Sequence, residues 1–361
     1  MWGLPSMGTQ RIGTICRCLP ELETLVLGGV RDANDNVEYK SNELSGLPHD
    51  LFATSARLKT LDLSHNTLHA LEVDTFQRLG QLQHLLLDQN QLRELPPDIF
   101  RGLGHLQYLG LGQNQLGELP SNLFQDLGQL QTLFLGKNQL RELPPNVFRG
   151  LGRLQWLFLG KNQLRELPSN IFQGLGRLRS LFLEQNQLQE IPPDVFQGTQ
   201  LLDLGLDRNQ LRELPPNLFQ SIDQLQFLSL DQNQLRELPP NVFQGLGWLA
   251  WLRLNQNLLR ELPPNVFQGL GQLRWLFLDQ NQLQKLLAGV FRGLRGLEEL
   301  RLDYNELNEL PVELFQGLNL NLLNLSSNNI SHLLPHAIPS RGTVLLRGNP
   351  LCHQSSIDVQ C

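Results

Sequence analysis

One column of asparagine constrains this chain more than any other feature. It runs Asn66, Asn90, Asn114, Asn138, Asn162, Asn186, Asn209, Asn233, Asn257, Asn281, Asn305 and Asn328, with Asn42 beginning the series. The step is 24 residues except at Asn186–Asn209 and Asn305–Asn328, where it is 23. The surrounding pattern is LxxLxLxxNxLxxLPxxxFxxLxx, repeated about thirteen times. The residue missing from the short steps falls between the Phe and the next Leu, in a connection, where deletions are tolerated. Length alone, 361 residues, would suggest two or three globular domains. A 24-residue unit cannot bury a core by itself, so its copies must stack on one another. The 87 Leu against 2 Met and 5 Trp are what copying one unit leaves behind.

Each column of the pattern has a physical task. In LxL the two Leu point inward and the residue between them points out, because side chains alternate along a strand. One short strand per copy therefore stacks into a parallel sheet. The Asn follows where the chain turns, and its amide both donates to and accepts from backbone groups that the turn strands. The LP or LPP after it, as in Leu143-Pro144-Pro145, fixes φ and removes a donor, which rules out a second central strand. That far side is expected to be extended or loosely helical. Twelve of the 17 Phe, from Phe52 and Phe76 through Phe291 and Phe315, fall ten residues after an Asn and form a second buried column.

Charge and composition narrow the function classes. Charged residues are 18% of the chain, with 29 Lys plus Arg against 35 Asp plus Glu, a balance of −6, which argues against nucleic acid as a main partner. Every leucine cluster is interrupted by Asn, Gln, Arg or Glu, so no run approaches the ~20 apolar residues of a membrane span. The opening MWGLPSMGTQRIG lacks a basic segment followed by an apolar stretch and does not read as a secretory signal. Either export is not intended or the true N-terminus is missing. No GxSxG, Walker A, HExxH or kinase signature occurs, and no enzyme is expected. The nearest approach to ligand chemistry is His65 and His84 with Asp62 and Asp88, read as solvated surface groups; no metal and no cofactor are expected.

The pattern resembles that of leucine-rich repeat proteins, and the 24-residue length with its Phe column resembles their typical extracellular subclass. The likeness covers about residues 20 to 350. It implies an α/β solenoid: a curved horseshoe with a parallel sheet on its concave side, the Phe column toward an irregular or short-helical convex side. It also implies ligand binding on the concave face, as in Toll-like receptor ectodomains, small leucine-rich proteoglycans and lamprey variable lymphocyte receptors. The segment QLRELPPNVFQGLG resembles the last group especially. The expected divisions are 1–33, an N-terminal extension and degenerate cap; 34–340, the array; and 341–361, a C-terminal cap. Residues 16–48 resemble a cysteine-containing N-terminal cap, but Tyr39 stands where a third Cys would be, leaving Cys16 and Cys18 without an obvious partner. Cys352 and Cys361 close a short loop past the last copy and are expected to pair if the protein is exported.

The five Phe outside the buried column fall on outward strand positions: Phe134, Phe158, Phe182 and Phe277 between the two Leu, and Phe227 two positions earlier. Tyr108, Trp156, Trp251 and Trp275 share the register of Phe227. Large apolar groups aligned on an exposed sheet mark a recognition surface, unless they only stack on one another across strands. A neighbouring outward column includes Asp88, Glu184, Asp207, Asp231, Asp279 and Asp303, interleaved with Lys137, Lys161, Arg208, Arg253 and Arg301. It serves either solvation or the steering of a partner. Arg-Glu steps such as Arg93-Glu94 and Arg260-Glu261 read as a structural charge ladder. Asn324 and Asn329 satisfy the N-glycosylation acceptor pattern.

The resulting expectation is a non-catalytic recognition module, receptor-like or secreted. It would bind a protein or other macromolecule, without nucleic acid or membrane contact, through Tyr108, Phe134, Trp156, Phe158, Phe182, Phe227, Trp251, Arg253, Trp275, Phe277, Asp207, Asp231 and Asp279. The alternatives are a matrix scaffold, or the sensor part of a larger receptor enzyme. An extracellular or cell-surface place is expected, with the cytoplasm as the alternative. The sequence does not give the oligomeric state.

Overall fold

The computed structural model describes residues 21–28, 43–48, 50–334, 337–339 and 341–353. The chain divides into two compact units, Met1–Leu181 and Phe182–Cys361, and each is a parallel β-solenoid. The first carries β1 (Thr24–Val26), β2 (Thr60–Asp62), β3 (His84–Leu86), β4 (Tyr108–Gly110), β5 (Thr132–Phe134) and β6 (Trp156–Phe158), with β7 (Ser180–Phe182) at its end. The second carries β8 (Asp203–Gly205), β9 (Phe227–Ser229), β10 (Trp251–Arg253), β11 (Trp275–Phe277), β12 (Glu299–Arg301), β13 (Leu322–Asn324) and β14 (Thr343–Leu345). Equivalent residues face each other from repeat to repeat. Leu133 is opposite Leu157 in the first unit, and Leu252 is opposite Leu276 in the second. β1 and β14 lie in the segments expected to be caps, and they pair with β2 and β13 in the same parallel register.

Three residues per strand are enough because other columns complete each repeat. The inward Leu of the strands, such as Leu133, Leu135, Leu252 and Leu254, are fully buried. The ladder Asn supplies what the turn lacks. In Asn138, Nδ2 donates to the carbonyls of Leu135 (3.0 Å) and of Leu111 one repeat earlier (2.9 Å), and more weakly to Gly136 (3.4 Å). Its Oδ1 accepts the N–H of Leu116, also in the preceding repeat, at 3.1 Å. The same arrangement recurs in the second unit, for example at Asn257. One side chain thus closes its own turn and ties it to the neighbouring one. The residue just before the Asn is left-handed, with φ of 57° at Lys137, 55° at Gln113 and 54° at Gln256. Left-handed backbone costs an L-residue roughly 1–2 kcal/mol, and the amide bonds of the Asn offset it.

The Phe column is a stack of buried rings. Phe124 lies 6.2 Å from Phe100 and 6.3 Å from Phe148, with planes within 13°. In the second unit Phe219, Phe243, Phe267 and Phe291 repeat this at 6.0–6.2 Å. The family likeness left an irregular or a short-helical far side, and among the described residues the irregular form is the one present. Among the described residues the only helical element is a 3-10 turn at Pro350–His353. Single turns make up that side, closed by bonds three residues apart, as in Ile99 N–H to Pro96 O, Leu103 N–H to Phe100 O and Leu106 N–H to Leu103 O. The reason is local. Proline interrupts the amide series, and a left-handed glycine follows the Phe in most repeats, Gly150 at φ 95° and Gly245 at φ 93° among them, so no helix can propagate.

Cys352 is disulfide-bonded, to a partner outside the described residues. Cys16, Cys18, Tyr39, Asn42 and Cys361 also lie outside them. No helix among the described residues is long and apolar enough to cross a membrane.

Candidate recognition surface

Alternation along the strands places the aromatic residues on the outward face of the sheet, in two groups that belong to different units. In the first unit, Phe134 and Phe158 stack face to face, centroids 4.1 Å apart and planes 2° apart, because they are register partners on β5 and β6. Tyr108 tilts against Phe134 at 5.5 Å, and His84 against Tyr108 at 6.4 Å. Trp156 is the most open of the set, 37% exposed. Burial, with the carboxylates of Asp88 and Asp62 nearby, pushes the Tyr108 hydroxyl up to about 12. Asp88 itself is raised to about 6, chiefly by burial, although Gly112 N–H donates to its Oδ1 at 2.8 Å. It lies over Gly110, where an added Cβ would come within 1.9 Å of the Asp88 carboxylate.

His84 Nδ1 approaches Thr60 Oγ1 at 3.5 Å, and His65 Nδ1 approaches Ser64 Oγ at 3.2 Å. Burial lowers the His65 pKa against the opposing pull of Asp62. Asp62 Oδ1 accepts from both the hydroxyl and the N–H of Ser64. Among the described residues no group of three or more His, Cys, Asp or Glu is arranged to hold a metal ion.

The second unit carries the denser group. Phe227, Trp251 and Trp275 are register partners on β9, β10 and β11. The two indoles stack at 4.6 Å, and Phe227 tilts on Trp251 at 6.2 Å. Arg253 lies among three rings, its guanidinium carbon 5.4 Å from the Trp251 centroid, 5.8 Å from Phe227 and 5.9 Å from Phe277. Arg301 covers the other side of Phe277 at 4.9 Å while its Nε donates to Glu299 at 2.6 Å. Guanidinium over an aromatic face is worth roughly 0.5–2 kcal/mol, more as water is excluded. Phe182, at the start of this unit, lies over Gly205, where a Cβ would meet its ring at 3.0 Å.

The carboxylate column beside these rings is drawn in, and simple solvation does not describe it. Asp231 and Asp279 are only 6% and 7% exposed. Asp231 accepts from Ser229 Oγ at 2.5 Å and Gln232 Nε2 at 3.4 Å, and Asp279 from Gln280 Nε2 at 3.2 Å. Burial raises Asp207 and Asp279, and raises Asp303 to about 6. Four buried polar atoms here have no hydrogen-bond partner: Trp251 Nε1, Arg253 Nε, Asn255 Oδ1 and Asp303 Oδ1. Three of them are alternate residues along one strand path, and native proteins rarely leave such groups unpaired.

Two exposed aromatics escape the column logic. Trp248 (65% exposed) stands before the first Leu of its repeat, and Tyr304 (61%) occupies the left-handed position before its Asn. In both places the equivalent residues are mostly polar, and that contrast is the signal that could have flagged them. Among the described residues no ion pair joins the Arg and Glu of one of the Arg-Glu steps. Arg93 Nε and Arg260 Nε donate instead to Gln115 and Gln282 of the following repeat. Asn329 is exposed, whereas Asn324 is half-buried with its Oδ1 held by Ser326 N–H.

Against curated protein sequences there is no significant match. Among solved structures, the chain is similar to the Drosophila Toll chain of a Toll–Spätzle complex, at 24% identity and TM-score 0.72, covering 84% of this chain and 42% of that one. It is similar to TLR13 in a complex with ssRNA13, at 26% identity and TM-score 0.69, covering 90% and 53%. A Leptospira interrogans leucine-rich repeat protein matches at 29% identity and TM-score 0.67, covering 92% and 89%. This chain thus spans less than half of that Toll chain and about half of the TLR13 chain. The family model for the leucine-rich repeat matches residues 40–92, 81–140, 128–188, 178–235, 228–283 and 295–339. These matches cover well over half of the chain, along which the Asn ladder, the inward Leu and the Phe stack recur, and the chain belongs to the leucine-rich repeat family.

Proposed function

We propose that this chain is a non-catalytic recognition module that binds a protein ligand on the concave, strand-bearing face. The observation that carries the reading is the cluster of Phe227, Trp251, Trp275 and Phe277 around Arg253 on β9–β11. Aromatic and Arg side chains are the residue types that dominate binding energy at protein interfaces. The unpaired atoms of Trp251, Arg253 and Asn255 add hydrogen-bonding capacity that a ligand's polar groups can use once the side chains readjust. Asp207, Asp231, Asp279, Asp303 and Glu299 outnumber Arg208, Arg253 and Arg301 on this face, which favours a protein over a polyphosphate chain. One related structure is nonetheless a complex with RNA, so the fold itself does not exclude nucleic acid. Ring spacing supports the placement on the inner side of the bend. Phe rings of successive repeats sit 6.0–6.4 Å apart, against roughly 4.8 Å for hydrogen-bonded strands.

A receptor-like or secreted setting is part of this proposal. The likeness to Toll and TLR13 supports it. Tyr108, Phe134, Trp156 and Phe158 in the first unit, and Phe182 in the second, supply further contact area in this reading. The experiment is titration calorimetry with a recovered partner. Trp275→Ala and Arg253→Ala are each expected to cost about 2–4 kcal/mol of affinity. Affinity unchanged in both variants would reject this face as the site.

A further inference from the structure

Away from the strands, the second unit carries a groove of about 930 Å³ built from four successive Glu-Leu-Pro-Pro or Glu-Ile-Pro-Pro segments, with Leu287 of the following repeat also lining it. Its floor is apolar, made by the buried Leu214, Leu238 and Leu262 and by the prolines beside them. One edge carries Glu190, Glu213, Glu237 and Glu261, all exposed, and none has a hydrogen bond or ion pair through its side chain. Arg212, Arg236 and Arg260 directly precede three of these glutamates in the chain. None of them lines the groove, and Arg260 is turned to Gln282. Leu287 is 51% exposed although it is a large aliphatic residue.

The backbone sets this segment apart as well. Asp194, Asn217, Asn241 and Asn265, each just after a Pro-Pro step of the groove, are left-handed with φ of 59–63°. Asp98 and Asn146 follow the same Pro-Pro step in the first unit, and neither is among the left-handed residues. Four consecutive repeats beside the groove thus share a backbone conformation that Asp98 and Asn146 do not take.

We propose that this groove docks an amphipathic, cationic α-helix of a protein partner. Such a helix would lay apolar side chains on the Leu-Pro floor and bring Lys or Arg from successive turns onto Glu213, Glu237 and Glu261. The match is geometric as well as electrostatic. Along the chain the groove residues of each repeat fall between its strand, spaced about 4.8 Å from the next, and its Phe, whose rings are 6.0–6.4 Å apart over the same repeats. The α-helical pitch of about 5.4 Å falls inside that interval, so turn and repeat stay in step over four copies. Side chains on one face of an extended peptide recur every ~6.7 Å, just beyond that interval. This site is separate from the aromatic face and stands or falls independently of it.

The test uses a fluorescein-labelled 18-residue peptide of Leu, Ala and Lys, patterned as an amphipathic helix, and a scrambled isomer of identical composition. Fluorescence anisotropy with the full chain is expected to show saturable binding of the patterned peptide, at least about tenfold tighter than the isomer. The triple variant Glu213→Gln/Glu237→Gln/Glu261→Gln is expected to weaken it about tenfold or more, and Leu287→Gln about threefold. All four side chains are exposed, so folding is not at risk. The control, Glu94→Gln/Glu142→Gln/Glu166→Gln, removes equal charge from the same column of the first unit and is expected to stay within about twofold. Equal losses in the two triple variants would show diffuse charge attraction and overturn the proposal. So would no effect of the groove variants, equal affinity for the scrambled isomer, or no saturable binding.

Discussion

At the residue scale, the fold rests on amides that serve two repeats at once. Asn138 is buried, with three carbonyls on its Nδ2 and one N–H on its Oδ1. Asn138→Ala is expected to cost about 2–4 kcal/mol in urea melts, because those backbone groups lose their partners in a place water does not reach. Asn138→Asp should be worse at neutral pH, since it buries a charge and turns the donors into acceptors, and should improve as the carboxyl protonates in acid. Asp88 gives a second residue-level expectation. Its pKa is raised to about 6 in the folded chain, above the ordinary carboxylate value, so the folded state holds the proton more tightly than the unfolded state does. Its contribution therefore destabilises fully above pH 6 and fades as pH falls through 6 toward 4. Thermal melts of Asp88→Asn should lack that part of the acid-side gain while keeping an acceptor for Gly112 N–H. An unaltered pH profile would show that Asp88 titrates normally.

At the scale of the element, one strand with its turn and its Phe is the unit that repeats, and inward and outward rings should behave differently. Phe124 is fully buried and stacked on both sides. Phe124→Ala is expected to lose about 3–5 kcal/mol by leaving a cavity. Trp275 is half-buried on the outward face, and Trp275→Ala should lose only about 1 kcal/mol of stacking. Differential scanning calorimetry separates these, and similar losses in both would mean that the outward rings are structural. This division was legible in the sequence because a period of two within the strand and of 24 along the chain place every Leu, Asn and Phe. The turns on the far side were not. Helix, 3-10 and plain turn share the same spacing of apolar residues there, and the choice falls to Pro-Pro steps and left-handed glycines. The packing of Arg253 among three rings was equally invisible. Its rings come from three different strands, and its own register partner on β9 is Ser229, 24 residues away.

For the molecule as a whole, stability accumulates from contacts between adjacent repeats, so each end of an array needs protection. The carboxy-terminal end has Cys352, already disulfide-bonded, and the expected partner is Cys361. Peptide mapping of secreted protein without reductant should recover a 352–361 linked fragment, and free thiols at both positions would remove the argument for an oxidising compartment. The same molecule presents aromatic residues on its sheet, Trp248 off it, and the Glu-Pro groove in its second unit, so its surfaces can be distinguished by where a ligand lands. The most direct measurement is site-specific photo-crosslinking with the recovered partner, p-benzoylphenylalanine being incorporated in place of Trp275 on β11 or of Trp248. Binding on the sheet predicts a covalent adduct from position 275 and none from position 248; an adduct from 248 with none from 275 would contradict it.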